Sequence, residues 1–466
     1  MVRRFRLVVL GNGSAAFAAA TRANDTGVST AMVSHGEIGG TCVNVGCVPS
    51  KNLLEMGNAY KRAKSSGFDS IKTGEASFDF RSGMEEKRRI IEELRESNYR
   101  NVISRMPNVT LTNGKGRFIG RNVIDVNGEA IEGEKILIAV GSSPYIPQLK
   151  GVDEAGVLTS EDMLSLDSLP ESLIVVGGRV LGLEFAQMFS RFGSQVTLLQ
   201  RSERVLPGHE REISEELTKN LRQEGISIFT NVGVEEIHEE NGGKVVKCRV
   251  AGNPRAFTAD HVLMATGRRP NVEGLGLDLA GVETRGGFIK TDESLRTTNP
   301  AVYAAGDCAS EVMLETLAAR MGYVAVRNAF EGAHLSVNVR EFPSAVFTDP
   351  QVATVGYTED EYMATAGACA CRTIGMDRIP KARILKDTRG IIKMVVDPKT
   401  LKIMGVHIVA PTAADMIHEA TLAVKLGLTI DDIISTPHVF PTATEAIKAV
   451  AHAFRRDVSS MSCCIE

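Results

Sequence analysis

Two glycine-rich turns, each placed between a strand-like run and a helical run, constrain the fold of this 466-residue chain more than any other feature. The first is Gly11-Asn-Gly13-Ser-Ala-Ala16, which follows the apolar run 7–10 and precedes an alanine-rich stretch. In such a turn the first glycine permits the bend, the second lets the backbone approach a pyrophosphate, and the small Ala16 allows close helix packing. The pattern predicts a strand, a tight turn and a helix whose N-terminus holds phosphates.

The same pattern returns further along the chain. Residues 173–176 are predicted to form a strand, 177–182 a glycine-rich turn and 183–192 an amphipathic helix, with another strand at 195–199. One such fingerprint is weak evidence, but its recurrence implies that one chain handles two different dinucleotides. We expect the first unit to hold a flavin and the second a nicotinamide.

Two pairs of cysteines indicate thiol chemistry. Cys42 and Cys47 lie five apart in Gly39-Gly-Thr-Cys-Val-Asn-Val-Gly-Cys-Val-Pro-Ser-Lys51, so their sulfurs can close a short loop and cycle between dithiol and disulfide. Cys463 and Cys464 end the chain, where an exposed vicinal pair is suited to capturing a soft ion with two thiolates. Buried structural cysteines in the first case, and an accidental terminal pair in the second, are the alternatives at this point.

Composition excludes several function classes. A net charge of -4 without a basic block gives no argument for nucleic acid or for an anionic membrane surface as partner. No apolar run approaches the ~20 residues that span a bilayer, and the basic start leads into the first turn without a cleavage-like site. We therefore expect a cytoplasmic protein of about three domains, whose eight cysteines are reactive or ligating rather than structural.

Taken together, these segments resemble the pyridine nucleotide disulfide oxidoreductase family from end to end. The cysteine block and the Gly306-Asp307 block carry this resemblance, the segment 346–356 is similar to the start of the family's dimerisation domain, and the terminal Ser-Cys-Cys resembles the mercury branch. The resemblance implies FAD and NADPH as cofactors and a homodimer with an active site shared between subunits. It also implies two-electron reduction of Hg(II), taken from its thiol complexes, to volatile Hg(0), which would detoxify mercury.

The expected fold class is α/β, with two Rossmann-like dinucleotide-binding domains and a C-terminal α+β dimerisation domain. We predict a first part of the FAD-binding domain at 1–145, an NADPH-binding domain at 146–270, a second part of the FAD-binding or central domain at 271–340, and a dimerisation domain with the Cys-Cys tail at 341–466. Because the first turn begins at residue 11, we expect no separate metal-binding domain ahead of it.

One position tests which branch of the family the chain resembles. The family's disulfide reductases place a histidine base in a His-x-His-Pro-Thr-x-x-Glu motif, and Phe440 occupies the base position here, with Glu445 retained. Phenylalanine cannot move a proton, which disfavours a lipoamide dehydrogenase or a glutathione-reductase-like enzyme. Many members of the mercury branch carry a tyrosine where we align Phe440. Thiol-based metal sequestration without turnover is a second alternative.

The resemblance also implies the residues of the flavin site. Ser34 stands where the family commonly has a ribose-binding glutamate, Asp307 would bind the ribityl chain, and the backbone of Glu315 would approach the ring. Lys51 and Glu184 are similar to the family's ion pair near flavin N5, where a fixed positive charge stabilises reduced flavin. The predicted flavin-site residues are Gly11, Gly13, Ser14, Ala15, Ala16, Ser34, Gly40, Thr41, Lys51, Gly116, Gly141, Asp307 and Glu315.

The second nucleotide site favours NADPH. After the strand at 195–199 the sequence is Gln200-Arg201-Ser-Glu-Arg204, without the acidic residue that would bind a ribose 2′-hydroxyl. Arg201, supported by Arg204, would instead pair with a 2′-phosphate. Two solvated surface arginines are the alternative. The predicted residues of this site are Gly177, Gly182, Arg201, Arg204 and Gly267.

The cysteines then receive distinct expected roles. Cys47, at the start of a helix, would be the flavin-proximal thiolate, and Cys42 the more accessible exchange thiol. Hg(II) would pass from Cys463 and Cys464 to these two, so the four cysteines are the predicted metal ligands, and the Tyr99 hydroxyl could assist the bound ion unless Tyr99 only packs a helix. Of the other four cysteines, neither Cys248 nor Cys308 is expected to be catalytic, and Cys308 would pack as a small apolar group. Cys369 and Cys371 would share one strand face, with metal binding there as the less favoured alternative.

Overall fold

The structure is a computed structural model that describes residues 2–457. The tail cysteines Cys463 and Cys464 lie outside the described residues. Within the described range, no helix is both long and apolar enough to cross a membrane.

Strands and helices alternate at residues 3–34 and 160–229, whereas residues 109–144 and 227–270 form runs of consecutive strands. The strands are β1 (Arg3–Leu10), β2 (Thr30–Ser34), β3 (Val109–Asn113), β4 (Gly116–Phe118), β5 (Val123–Val126), β6 (Glu129–Ile138), β7 (Ser142–Pro144), β8 (Ser172–Val176), β9 (Gln195–Leu199), β10 (Ser227–Phe229), β11 (Val232–Glu240), β12 (Gly243–Val250), β13 (Asn253–Ala259), β14 (His261–Met264), β15 (Arg268–Pro270), β16 (Thr284–Arg285), β17 (Phe288–Ile289), β18 (Val302–Ala304), β19 (Ser344–Val346), β20 (Gln351–Gly356), β21 (Ala370–Gly375), β22 (Ile391–Val396) and β23 (Ile403–Ala410). The α-helices are α1 (Ser14–Asp25), α2 (Gly40–Val45), α3 (Cys47–Lys64), α4 (Phe80–Arg95), α5 (Asn101–Ile103), α6 (Ser160–Met163), α7 (Val180–Phe192), α8 (Arg211–Gln223), α9 (Leu277–Ala280), α10 (Glu315–Glu331), α11 (Glu359–Ala366), α12 (Pro380–Ile384), α13 (Ala413–Leu426), α14 (Ile430–Ser435) and α15 (Glu445–His452).

The first of two compact units contains Met1–Ser50, Met84–Ile146 and Thr266–Val339. Its sheet has the order β3-β2-β1-β6-β5-β4, and β18 pairs with β6. The pairs among β3, β2, β1, β6 and β18 are parallel, while β4, β5 and β6 form an antiparallel extension. Val8 and Ile136 are fully buried, as expected for a parallel sheet covered on both faces.

The second unit contains Lys51–Gly83, Pro147–Ala265 and Arg340–Glu466. It has a four-stranded parallel sheet of order β10-β9-β8-β14 and a three-stranded sheet β11-β12-β13. Its five-stranded antiparallel sheet has the order β19-β20-β23-β22-β21, so β21 is an edge strand. The predicted α/β fold class is confirmed, with one mainly parallel sheet, one fully parallel sheet and an antiparallel C-terminal sheet accompanied by helices.

Two short strands lie side by side in the first unit. β7 and β15 pair as antiparallel strands within the first unit, and each follows a glycine, Gly141 or Gly267, with positive φ. Tyr145 N donates to the carbonyl oxygen of Gly267 at 2.9 Å, and the Thr266 hydroxyl donates to the carbonyl oxygen of Tyr145 at 2.6 Å. The exit of the chain after Ile146 and its re-entry at Thr266 therefore lie close together in this unit.

A network of charged side chains lies inside the second unit. The Asp349 carboxylate pairs with Arg191 at 2.7 Å, with Arg389 at 2.7 Å and with Lys61 at 3.4 Å, and Glu224 accepts from Arg191 at 2.8 Å. Burial alone would raise the pKa of Asp349, but the three cations overcome burial and lower this pKa to about 2.

This network predicts a loss of stability in acid. The folded pKa of Asp349 lies below its ordinary value of 3.8, so its contribution is fully present above about pH 4 and is lost as the pH falls through about 2. We expect a loss on the order of 2 kcal/mol of unfolding free energy across this window, at about 1.4 kcal/mol per pKa unit. Urea unfolding at a series of pH values measures this loss. The unfolding free energy of Asp349→Asn should fall less between pH 4 and pH 2 than that of Asp153→Asn, whose side chain is exposed. An equal loss of unfolding free energy in the two variants would contradict the prediction.

Candidate active site

The first glycine turn has the geometry of a phosphate cradle. Gly11 has φ +135°, and a Cβ atom there would collide with the carbonyl oxygen of Ala139. Gly13 caps α1, a helix of 12 residues with no acidic residue in its first turn. Gly40 has φ +65°, and a Cβ atom there would lie 2.6 Å from Cα of Gly13. The residues present fit a dinucleotide, because backbone amides and a helix N-terminus meet where side chains are excluded.

Ser34 is the final residue of β2 and is buried. Its hydroxyl oxygen accepts from Asn12 Nδ2 at 2.9 Å, and the same amide reaches the carbonyl oxygen of Glu37 at 3.0 Å. Gly39 N donates back to the carbonyl oxygen of Asn12 at 3.0 Å. Asn12 therefore fastens the first turn to the segment that leads into the cysteine block, a role that the sequence analysis missed because an x position in a glycine fingerprint carries no requirement.

The two cysteines of the block lie on consecutive helices. Cys42 is in α2 and Cys47 is the first residue of α3, whose 18 residues give the N-terminus a partial positive charge. Gly46 ends α2, and a Cβ atom there would lie 2.9 Å from the carbonyl oxygen of Thr41. Cys47 is exposed and Cys42 is half-buried in the polypeptide. These exposures describe the polypeptide alone, and the assignment of Cys42 as the more accessible exchange thiol of the flavin-loaded protein stays a prediction.

Tyr99 lies beside this block. It belongs to a single π-helical turn, Glu96–Arg100, that follows α4, and its ring meets Phe17 edge-on with 4.8 Å between centroids. A Cβ atom at Gly39 would lie 3.3 Å from the Tyr99 ring. Half-burial, and then the negative charges of Cys42, Glu315 and Cys47, raise the pKa of the Tyr99 hydroxyl. The predicted neighbourhood of Tyr99 and the two cysteines is present, and the hydroxyl stays protonated.

Asp307 is held by residues that the sequence analysis did not select. The Ser142 hydroxyl donates to Asp307 Oδ2 at 2.6 Å, and Arg268 donates to the hydroxyl oxygen of Ser142 at 2.8 Å and to its carbonyl oxygen at 2.6 Å. Ser142 and Arg268 each follow a glycine that the sequence analysis selected, Gly141 or Gly267, and this adjacency could have identified them. Next to Asp307, burial raises the pKa of the fully buried Cys308 to about 11, in line with its assignment as a packing residue.

The remaining predicted flavin-site residues have specific places in the first unit. Ser14 is the first residue of α1, and Ala16 is fully buried. Ala15 packs against both Gly306 and Gly322, so the Asp307 segment and α10 lie against α1. Gly116 is buried in β4, where a Cβ atom would lie 2.7 Å from the Leu10 side chain. Thr41 is exposed in α2, and Glu315 is the first residue of α10.

The predicted ion pair is present in the second unit. Lys51 Nζ lies 2.7 Å from Glu184 Oε2, and the Glu184 side chain is buried. The other oxygen of Glu184 accepts from Phe347 N at 2.9 Å, and Lys51 Nζ lies 4.9 Å from the centre of the Phe347 ring. These contacts fix the cation one helical turn after Cys47 in α3, on the same helix face.

The second glycine turn follows the same logic as the first. Gly177 has φ +116°, and a Cβ atom at Gly182 would collide with the Gly177 carbonyl oxygen. Gln200, at the position of the missing acid, accepts from Gly178 N at 3.0 Å and donates to the carbonyl oxygen of Arg204 at 3.2 Å. Its side chain thus joins the glycine turn to the loop that carries Arg204.

The two arginines of this loop differ. Arg204 pairs with Glu203 at 2.9 Å and donates to the carbonyl oxygen of Pro207 at 3.4 Å. Arg201 is exposed and makes no hydrogen bond or ion pair with any of residues 2–457. Arg201 is therefore the better placed of the two for a 2′-phosphate.

Replacing Arg201 should weaken the use of NADPH much more than the use of NADH. We expect Arg201→Ala to raise the KM for NADPH by about 10- to 100-fold, because a hydrogen bond to a charged group contributes roughly 1.5–3 kcal/mol. The KM for NADH should hardly change, and Arg211→Ala, at an exposed arginine nearby, is the matched control. Steady-state kinetics with both cofactors measures the ratio. An equal rise for NADPH and NADH would rule out selection by Arg201.

The segment around Phe440 presents an apolar surface. Val439 is 76% and Phe440 54% exposed. His438 Nε2 lies 2.9 Å from Glu419 Oε1, and Glu445 accepts from Thr442 N at 2.9 Å, so both ionisable groups of the motif are engaged locally. Phe440 carries no group that could act as a base.

Nearly the whole chain is similar to known proteins. The family model described as pyridine nucleotide-disulphide oxidoreductase matches residues 5–322, and the model of that family's dimerisation domain matches residues 342–451. A mercuric reductase of Bacillus cereus is 39% identical over 98% of this chain and 72% of its own length, and one of Staphylococcus aureus is 37% identical over 99% and 84%. The solved Cu(II) complex of the HOCl-induced flavoprotein disulfide reductase RclA from Escherichia coli covers 97% of this chain and 100% of its own, with a TM-score of 0.87 and 27% identity.

Proposed function

Because the chain belongs to the pyridine nucleotide-disulphide oxidoreductase family, we propose that it is a mercuric reductase, an enzyme that uses NADPH to reduce Hg(II) to Hg(0). The observation that carries the proposal is the grouping of Cys42, Cys47 and Tyr99 next to the first glycine turn. The cofactors are FAD and NADPH. NADPH provides two electrons and Hg(II) accepts two, with NADP⁺, a proton and Hg(0) as products.

The residues of the chain have separate tasks in this reaction. Cys42 and Cys47 would bind Hg(II) as thiolates, the ligand type that a soft ion prefers. The N-terminus of α3 would stabilise the Cys47 thiolate, and Lys51 would add a fixed positive charge one turn along that helix. Bound FAD supplies the relay that carries electrons from NADPH to the dithiol site.

The Tyr99 hydroxyl would donate a hydrogen bond to a thiolate that holds the ion. We expect Tyr99→Phe to lower kcat by roughly tenfold or more, because a hydrogen bond to a charged group contributes about 1.5–3 kcal/mol. Thermal unfolding should be nearly unchanged, since the ring contact with Phe17 survives the substitution. Tyr357→Phe, at a tyrosine distant in sequence from the cysteine block, is the control. A loss of stability with unchanged kcat would instead assign Tyr99 to helix packing.

Phe440 separates this proposal from its runner-up. A disulfide reductase, such as the family's lipoamide and glutathione enzymes, must protonate a leaving thiolate, and Phe440 cannot do so. Metal ion reduction has no such requirement. The runner-up keeps one point in its favour, because the solved structure of similar fold is called a disulfide reductase.

Sharing of the site between subunits is a further part of the proposal. The dimerisation domain and the exposed Val439 and Phe440 support a homodimer. We propose that Cys463 and Cys464 of one subunit pass Hg(II), delivered as thiol complexes, to Cys42 and Cys47 of the other, and that the enzyme acts in the cytoplasm. Mixed dimers of a dithiol variant and a tail variant should regain about one functional site in each heterodimer, whereas delivery within one chain would give no complementation.

The deciding experiment is NADPH oxidation by the purified yellow protein, with and without Hg(II), in excess small thiol. Oxidation that depends on Hg(II) and releases mercury vapour supports the proposal. Oxidation only with lipoamide or glutathione disulfide would support the runner-up, and stoichiometric Hg(II) binding without turnover would indicate sequestration. The Cys463→Ala/Cys464→Ala variant, assayed in parallel, tests the tail.

A further inference from the structure

A second group of soft ligands lies in the C-terminal sheet, apart from the cysteines assigned to mercury. The two sulfurs of Cys369 and Cys371 are 3.5 Å apart, and together with a carboxylate oxygen of Glu359 they lie within 4.8 Å of one another. Cys371 is in the edge strand β21 and Cys369 directly precedes it, while Glu359 is the first residue of α11. All three are half-buried, and no other group of three or more possible ligands occurs among the residues that the structure describes.

Glu359 is positioned by contacts independent of the cysteines. Its Oε2 atom pairs with Lys393 Nζ at 2.7 Å, and its backbone N–H donates to Glu210 Oε1 at 2.6 Å. Lys393 and Glu210 are themselves buried and paired at 2.9 Å. The carboxylate is therefore held in place before any ion arrives, and Oε1 is not used in the Lys393 pair. Such support from a second layer of residues is typical of metal sites.

We propose that Cys369, Cys371 and Glu359 bind a tetrahedral d¹⁰ divalent cation, Zn(II) or Cd(II), with water in the fourth position. The distance between the sulfurs decides the geometry. Tetrahedral ligands on bonds of about 2.3 Å lie roughly 3.8 Å apart, close to the observed 3.5 Å. A linear dithiolate complex would need at least about 4.6 Å between the sulfurs on the same bond length. The site therefore favours a tetrahedral ion over the linear two-thiolate coordination of Hg(II).

The location suggests what a bound ion would do. A bound ion would join the edge strand β21 to the first turn of α11. In that turn the Glu359 carboxylate already pairs with Lys393. Each thiol gives up its proton on binding and no redox partner is needed. An ion that binds only the folded chain adds stability by mass action.

The test uses the full-length, FAD-loaded protein in which Cys42 and Cys47 are serine and Cys463 and Cys464 are alanine, kept reduced, with Cd(II) as the probe. We expect one equivalent of Cd(II) to bind, with thiolate-to-metal charge-transfer absorption in the ultraviolet and a raised Tm. Cys369→Ser/Cys371→Ser should abolish the absorption. Glu359→Gln should weaken binding by at least roughly tenfold, since loss of even an outer-layer partner costs about 10–100-fold.

Cys248→Ser is the matched control, because Cys248 is a buried strand cysteine of the same unit. It should keep full Cd(II) binding, and the FAD content of every variant reports whether the chain has folded. The proposal fails if the reduced protein binds no Cd(II), if Cys248→Ser loses as much as the double variant, or if Cys369 and Cys371 form a disulfide that resists reductant. Because the test protein lacks the four cysteines proposed to bind mercury, the result does not depend on the proposed reductase activity.

Discussion

Replacing either cysteine of the first block with serine is expected to abolish mercury reduction while leaving the flavin bound. We expect kcat to fall on the order of 10³-fold or more for Cys42→Ser and for Cys47→Ser, the scale seen when one member of a catalytic unit is removed. A serine hydroxyl neither forms a disulfide nor binds a soft ion as a thiolate does. The two substitutions should cost about the same, because the ion needs both sulfurs.

Absorption spectra separate this result from unfolding and assign the two roles. FAD content should match the unsubstituted protein in both variants, because the cradle at Gly11 and Gly40 uses backbone rather than thiols. A long-wavelength thiolate–flavin band should survive in Cys42→Ser and vanish in Cys47→Ser if Cys47 is the flavin-proximal thiolate. Cys248→Ala, which removes a buried thiol elsewhere, should keep full activity. Mercury-dependent NADPH oxidation that persists in either serine variant would refute the assignment of the dithiol.

The largest effect on stability is expected at Lys393. Its ammonium group pairs with Glu210 at 2.9 Å, Glu212 at 2.9 Å and Glu359 at 2.7 Å, while its side chain is only 3% exposed. Burial alone would lower the pKa of Lys393, but the carboxylates overcome burial and raise it, so the lysine stays charged. Lys393→Met leaves the buried Glu210 carboxylate without its cation, and removing one partner of a buried pair costs about 3–5 kcal/mol.

Urea unfolding measures this cost, and a double substitution isolates its cause. Lys393→Met/Glu210→Gln should recover a large part of the lost unfolding free energy, because the stranded charge is then gone. Lys247→Met, at an exposed lysine of β12, is the control and should change stability by less than about 0.5 kcal/mol. A Lys393→Met protein as stable as the control would show that the three carboxylates do not depend on this lysine.

Much of the site follows from local sequence because glycine requirements are local. Gly11 and Gly40 need positive φ and close backbone approach, and those needs appear directly in the spacing of the motif. The helix start at Cys47 is also a local property, set by the break at Gly46. Such features belong to a few consecutive residues, so one sequence is enough to predict them.

The features that the sequence did not indicate depend on residues far apart in the chain. Asp307 is fixed by Ser142 and Arg268, which reach it only because β7 pairs with β15. Cys369 and Cys371 could be placed on one strand face, but Glu359 lies beside them in a position that its pair with Lys393 of β22 helps to fix. Periodicity and spacing describe the neighbours along one element. They do not describe which side chain arrives from another.

The pairing of β18 with β6 has a consequence for the order in which the protein can be made. Val302 lies beside Ile136 in one sheet. All four strands of the four-stranded sheet, β8, β9, β10 and β14, come between these two residues in the sequence. During synthesis from the N-terminus, that inserted sheet can close while the first sheet still has an unpaired edge at β6. The ribosome must therefore synthesise all strands of the inserted sheet before the first sheet can be completed. The last strand to join the first sheet is β18, which leads to Asp307.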